Sequence, residues 1–207
     1  MELDGKRILV SGATGGLGQA ISNELAGAGA ALVLSSRREK ELTAIAKALP
    51  GGADRHEVIA ADLAKSGAPE KLIDAAGDID GLVANAALPA TGRLEELSDT
   101  DVKRALDVNF EAPILMAHKL VPDLLEKGDG HIVFIASLAG HVASPHSSLY
   151  SASKFGLRGF AFGLRADLAD NGVGVSVVSP GFVRDAGMFA DAGAEAPPGM
   201  GTTTPGK

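Results

Sequence analysis

Ile8-Leu-Val-Ser-Gly-Ala-Thr-Gly-Gly-Leu-Gly18 is a short apolar run, then a glycine turn, then from Gly16 a segment of helical period. Strand, turn and helix in direct succession make an anion site. The first N–H groups of a helix lack intrahelical partners and carry partial positive charge. Gly12 would permit the tight turn, Gly16 the close approach of a pyrophosphate and Gly18 close packing of helix on strand, with Thr14 and Leu17 completing the loop. The chain holds 27 glycines, enough to produce this spacing by chance. The reading therefore rests on what precedes and follows the loop.

Outward from that unit the alternation repeats. Apolar runs at 8–10, 31–34, 57–60, 81–84, 132–135 and 173–178 alternate with helical segments at about 16–28, 38–49, 69–76, 99–126 and 148–170. This pattern predicts an α/β fold, a three-layer doubly wound parallel sheet of about six strands with helices on both faces. No repeat or linker interrupts it before residue 185, so residues 1–187 read as one domain and 188–207, rich in Pro, Gly and Thr, as a flexible tail or partial lid.

With 207 residues, 45% hydrophobic side chains and no cysteine, the chain can bury one sizeable core without a disulfide. Its start, Met1-Glu-Leu-Asp-Gly-Lys-Arg7, is charged and leads straight into the first strand, which predicts no signal peptide, no membrane anchor and a cytoplasmic location. A net charge of −7 speaks against nucleic acid as a partner but leaves room for a local basic pocket.

Ligands of open α/β sheets bind beyond the carboxyl ends of the strands, so the residues there are the candidates. The second strand ends at Ser35-Ser36-Arg37-Arg38, where a dinucleotide fold meets the adenosine ribose. An acid there would repel a 2′-phosphate, whereas Arg can pair with one bidentately, so NADP is favoured over NAD. The competing account has both arginines solvating the next helix. Asp62 and Leu63 follow the third strand, where Asp62 suits an adenine contact; Asn85 and Ala86 follow the fourth, where Asn85 suits a loop-fixing role. Loop closure without a ligand explains both acids and amides equally well. In the segment Asn109-Phe-Glu-Ala-Pro113, the proline cannot donate to the Asn109 carbonyl, which frees an acceptor inside a helix. Ser137 follows the fifth strand, thirteen residues before Tyr150, the single tyrosine. Tyr150 and Lys154 lie one helical turn apart on one face, so the ammonium can approach the phenol and lower its pKa.

Together these residues resemble the short-chain dehydrogenase/reductase family over residues 6–187. The glycine loop, Asp62, the Asn85 loop, Asn109, Ser137, Tyr150 with Lys154, and Pro180-Gly181 occur in the family's order and approximate spacing. The resemblance implies a Rossmann-like sheet and hydride transfer between a nicotinamide ring and a carbonyl or secondary alcohol. It matches the family's four catalytic positions to Asn109, Ser137, Tyr150 and Lys154, and adds Pro180, Gly181 and Val183 to the cofactor contacts. It further implies that Lys154 holds the nicotinamide ribose, that the Asn109 carbonyl holds a proton-relay water, and that the protein is a homo-oligomer through the helices around Asn109 and Tyr150.

Three departures stand against the family pattern. Ala87 occupies a position where glycine is frequent, and Asp185 one where many members place a threonine. The family's further helix and last strand are not recognisable after residue 187, which would leave the segment 173–178 with an open edge. The expectation is an NADP-preferring oxidoreductase with Tyr150 as general acid/base. The alternative is a dinucleotide-binding protein with little turnover; a sugar-nucleotide epimerase or dehydratase is disfavoured because little chain remains for a substrate domain. Of the five histidines, His141 and His146 flank the Ser137–Tyr150 loop and are candidates to touch substrate, and none shows metal-ligand spacing.

Overall fold

A computed structural model defines residues 2–184 and 201–204. Six strands form one parallel sheet: β1 (Arg7–Ser11), β2 (Ala31–Ser36), β3 (Glu57–Ala60), β4 (Gly81–Ala84), β5 (Gly130–Ile135) and β6 (Val173–Val178). Their order is β3-β2-β1-β4-β5-β6. The chain steps outward from β1 to β3 and then returns to place β4 on the other side of β1. The carboxyl ends of β1 and β4 thus diverge into loops that run opposite ways, which is the crevice where such sheets bind ligands.

The connecting helices are α1 (Gly16–Gly27), α2 (Glu39–Ala48), α3 (Ala68–Ala76), α4 (Asp99–Leu106), α5 (Ala112–Lys127) and α6 (Ser148–Asp167). They sort the core into two layers. On one face Leu9, Val33, Leu82, Ile132, Phe134 and Val175 pack under α3, α5 and α6; on the other Ile8, Val10, Leu32, Leu34 and Ile135 pack under α1 and α2. Neighbouring strand residues alternate between these clusters because side chains on a strand point to opposite faces. Central β1 is apolar on both sides, so no alternation is visible in its sequence.

Cover on both faces holds for the middle of the sheet and is incomplete toward its edges, where no residue of β3 is fully buried. In β5 and β6 the residues facing away from α6 are His131, Val133, Ile135, Gly174, Ser176 and Val178; all but Ile135 are at least partly exposed, and Val178 is 47% exposed. There His131 Nε2 and Ser176 Oγ lie 2.9 Å apart, a polar pair between adjacent strands. Among the described residues β6 is an edge strand.

The helical segment predicted at 99–126 is three pieces. Ser98 opens α4 with a capping box, its side chain accepting from Asp101 N–H while Asp101 reaches back to the Ser98 N–H. A π-turn over Asp107–Glu111 then widens the helix directly ahead of Pro113, and the Ala112 N–H donates to the Asp107 carbonyl. The turn accommodates a residue that cannot donate, and α5 continues to Lys127, where Gly128 ends it in the left-handed region at φ 64°. Beyond β6, two-residue strands β7 (Phe182–Val183) and β8 (Thr202–Thr203) pair in parallel, and Arg184 N–H donates to the Thr203 carbonyl at 2.8 Å. Thr202 and Thr203, in the segment expected as a flexible tail or partial lid, thus pair with Phe182 and Val183. Asp185 and the remainder of the expected tail lie outside the described residues. No helix among them is long and apolar enough to cross a membrane.

Candidate active site

Sterics build the glycine loop. Gly12 has φ +68°, and a Cβ there would meet the Ala86 Cα at 2.8 Å; at Gly18 it would meet the Gly12 carbonyl oxygen at 2.2 Å. Helix α1 can therefore start hard against the turn. Its N-cap, Gly15, supplies no side-chain bond and its first turn has no acid, so no carboxylate competes for the N–H groups there. Asn85 fixes the loop from the neighbouring strand end: Nδ2 donates to the Ser11 and Gly12 carbonyls, each at 3.1 Å. Ser11 Oγ in return accepts from the N–H of Asn85 at 3.1 Å and of Ala86 at 3.2 Å. The loop-fixing role expected of Asn85 matches this geometry, and Ser11, a small polar residue ending a buried strand, was the partner missed.

At the end of β2 the two arginines divide. Arg38 folds back on the glycine loop, with Nη2 3.2 Å from the Thr14 carbonyl and 2.9 Å from Thr14 Oγ1, and pairs with Glu41 at 3.1 Å. Ser36 Oγ accepts the Arg38 N–H at 3.0 Å. The Arg37 side chain projects without a hydrogen bond or ion pair to the described residues. Across the β2–β3 ladder stands Asp62, bound by Arg104 from α4 at 3.1 Å, a partner the sequence did not suggest. Burial pushes the Asp62 carboxyl up, but the Ala64 N–H, Arg104 and Arg37 together hold it below the usual carboxylate range. Leu63 turns its side chain into the core.

Ser137, Tyr150 and Lys154 converge where β5 meets α6. The Ser137 hydroxyl accepts the Ala139 N–H at 3.1 Å and lies near enough to the Tyr150 phenol to act on its ionisation. Lys154 is 2% exposed; its Nζ donates to the Ile135 carbonyl at 2.8 Å and lies 5.8 Å from the Tyr150 ring centroid. Burial lowers the lysine pKa to about 8. The expected lowering of the Tyr150 pKa is not what this arrangement gives: burial pushes the phenol up, outweighing the lowering effect of nearby Ser137, and the ammonium is spent on a backbone carbonyl. The phenol therefore holds its proton at neutral pH.

Asn109 sits in the π-turn, fully buried, and grips the loop after β4 twice: Oδ1 accepts the Leu88 N–H at 2.7 Å and Nδ2 donates to the Leu88 carbonyl at 2.9 Å. Sequence reasoning singled out its backbone carbonyl and did not foresee this side-chain clamp. The Pro180 carbonyl accepts the Leu138 N–H at 2.8 Å, which ties the loop carrying Gly181 and Val183 to Ser137. His141 Nε2 lies 3.0 Å from Ser179 Oγ, and the His146 carbonyl accepts the Gly92 N–H at 2.7 Å, so both histidines brace loops around the site.

The family model for short chain dehydrogenases matches residues 6–196. This chain is a short-chain dehydrogenase/reductase. Among curated relatives, the ketoacyl reductase HetN of Nostoc is 34% identical over 207 residues, covering 98% of this chain and 72% of HetN. Mouse dehydrogenase/reductase SDR family member 7B is 33% identical over 185 residues, covering 85% of this chain and 57% of its own. The chain thus spans little more than half the length of some relatives. The crystal structure of a 3-oxoacyl (acyl-carrier-protein) reductase from Agrobacterium tumefaciens with NADP bound superposes with a TM-score of 0.83 at 28% identity, over 88% of this chain and 72% of that one. Other similar solved structures hold NADPH or NAD. Short-chain dehydrogenases are NAD(P)-dependent oxidoreductases, and the six-stranded parallel sheet is their Rossmann-like fold.

Proposed function

We propose that this short-chain dehydrogenase is an NADP-preferring oxidoreductase that interconverts a carbonyl and a secondary alcohol, with Tyr150 as general acid/base. The residues present suit the dinucleotide. An uncapped α1 with no first-turn acid, reached across side-chain-free Gly12, suits a pyrophosphate, contacted from Thr14, Gly16, Leu17 and Gly18. Arg37, with Ser36 and Arg38 beside it, suits a 2′-phosphate, and Asp62, the Leu63 backbone, Asn85, Ala86, Pro180, Gly181 and Val183 line the remaining edge. When bound, the nicotinamide supplies the hydride.

The observation that carries the reading is a phenol beside Ser137 that burial keeps protonated, with a buried lysine one helical turn on. In reduction the Tyr150 O–H gives its proton to the carbonyl oxygen, and Ser137 donates a second hydrogen bond to the same oxygen, stabilising charge that develops there. Lys154, held by the Ile135 carbonyl 5.8 Å from the Tyr150 ring centroid, is in this reading the reservoir from which the phenolate regains its proton. Asn109 clamps the Leu88 loop and so fixes that wall of the site.

Relatives named as ketoacyl reductases make a 3-ketoacyl thioester the first substrate to assay. Removing the acid should lower kcat by about 10²–10⁴, the usual range for general acid catalysis. Tyr150→Phe is expected to lose that much NADPH-dependent reduction while binding NADPH as before. Equal turnover by the variant would refute the assignment. We also propose a homo-oligomer built through the outer face of α6, where Phe155 and Phe162 are 43% and 47% exposed and a Cβ added at Gly159 or Gly163 would meet nothing within 4 Å.

A further inference from the structure

Asp62 lies within reach of two arginines. Arg104, from α4, brings Nη2 to 3.1 Å from Oδ1 and 3.3 Å from Oδ2, and the Ala64 N–H adds a bond to Oδ1 at 3.3 Å. Arg37 is within Coulombic reach of the same carboxylate. The ladder explains why: Ser36 of β2 lies opposite Ala60 of β3, and the Ala61 N–H donates to the Ser36 carbonyl at 2.9 Å. The two strands therefore release Arg37 and Asp62 side by side. A carboxylate and an exposed guanidinium so placed would pair unless one is already taken, and here the carboxylate is.

We propose that Arg104 sets the cofactor preference from outside the phosphate subsite: by occupying Asp62 it keeps Arg37 available for the 2′-phosphate of NADPH. Without Arg104, Asp62 takes Arg37 as its ion-pair partner and the phosphate loses its receptor. Neither neighbouring cation can substitute. Lys103 is bound to Asp107 at 2.7 Å, and Arg38 is engaged by Thr14 and Glu41. Arg104 is thus a positioning residue for the adenosine end, acting through Asp62. The proposal rests on the reading that Arg37 receives that phosphate.

Dissociation constants of NADPH and NADH, from fluorescence titration of the full chain, test it. Arg104→Met keeps the stem and removes the charge. It should weaken NADPH about twofold to fivefold more than NADH, the range expected of a partly exposed ion pair. The loss should vanish in two backgrounds. With Arg37→Gln already present there is no receptor left to capture, and with Asp62→Asn there is no carboxylate to capture it. Equal weakening of both cofactors by Arg104→Met would overturn the proposal, leaving Arg104 as a support of the site's shape. A selective loss that persists beside Arg37→Gln would also overturn it, showing that Arg104 acts on the phosphate directly. If Arg37→Gln alone leaves NADPH affinity unchanged, the underlying phosphate reading fails, and this proposal with it.

Discussion

Lys154 places a charge where water hardly reaches, and the ionisation equilibrium registers the cost. Unfolded, the lysine keeps its proton to about 10.5; folded, burial brings that down to about 8. Between those values the unfolded chain binds more protons than the folded one, so stability rises with pH across the window and the gain is lost as pH falls through 8. The slope is at most about 1.4 kcal/mol per pH unit. Tyr150 works the other way but only above its usual 10, since its folded pKa is raised. Urea midpoints measured from about pH 7.5 to about 9.5 should therefore climb in the parent protein relative to Lys154→Met. Parallel profiles would show that the ammonium is not perturbed by the fold. If Lys154 returns a proton to the Tyr150 phenolate as proposed, it can do so only while charged, and turnover in the reductive direction is expected to fall as pH rises through about 8.

Helix α1 and the π-turn are the elements that carry the site, and each is positioned by one residue with no slack. A methyl group at Gly18 would stand 2.2 Å from the Gly12 carbonyl oxygen and 3.0 Å from the Ala13 Cα and from Asn85 Nδ2. Backbone surrounds it, so the helix must retreat from the loop as a body. Gly18→Ala is expected to destabilise the protein by about 1–3 kcal/mol through overpacking and to weaken NADPH and NADH together, because the pyrophosphate donors move. Chemical denaturation beside cofactor titration checks both, and unchanged affinity for either cofactor would sink the idea that α1 abuts the loop this closely. In the π-turn, Asn109 satisfies both backbone groups of Leu88 from a fully buried position. The widened helix ahead of Pro113 thus delivers a side chain to a loop twenty-one residues earlier in the chain.

At the scale of the whole molecule, the sheet is covered evenly at its centre and unevenly toward β6, and α6 offers an apolar outer face. Phe162 is exposed although Arg158 lies over its ring at 4.8 Å, and Phe155 stands exposed one helical neighbourhood away. If α6 packs on a second copy, Phe162→Glu puts a carboxylate into that contact and should halve or quarter the mass seen by light scattering, with the monomer fold retained by circular dichroism. A parent protein that is already monomeric at assay concentration would refute the oligomer proposal. Burial of two phenylalanines per copy against small residues is the sort of patch that drives helix pairing.

Much of this was legible in the order of residues. Six strands fell where the apolar runs lie, most plainly β1, β2 and β4, whose burial on both faces requires continuous apolar residues, and the glycine loop was legible from the strand before it and the helix after it, with Gly12 and Gly18 at positions that exclude a Cβ. The positions of Ser137, Tyr150 and Lys154 at one sheet edge follow from strand ends and helical spacing. Tertiary structure alone decided the pairings between distant segments: Arg104 on Asp62, Asn109 on Leu88, Ser11 on the Asn85 loop, and Lys154 on the Ile135 carbonyl rather than on the phenol. Sequence periodicity reports which face of an element is buried, since that depends on neighbours in the chain. It cannot report which polar group a buried side chain meets, or which way burial moves a pKa, because those depend on groups that the fold brings in from far along the chain.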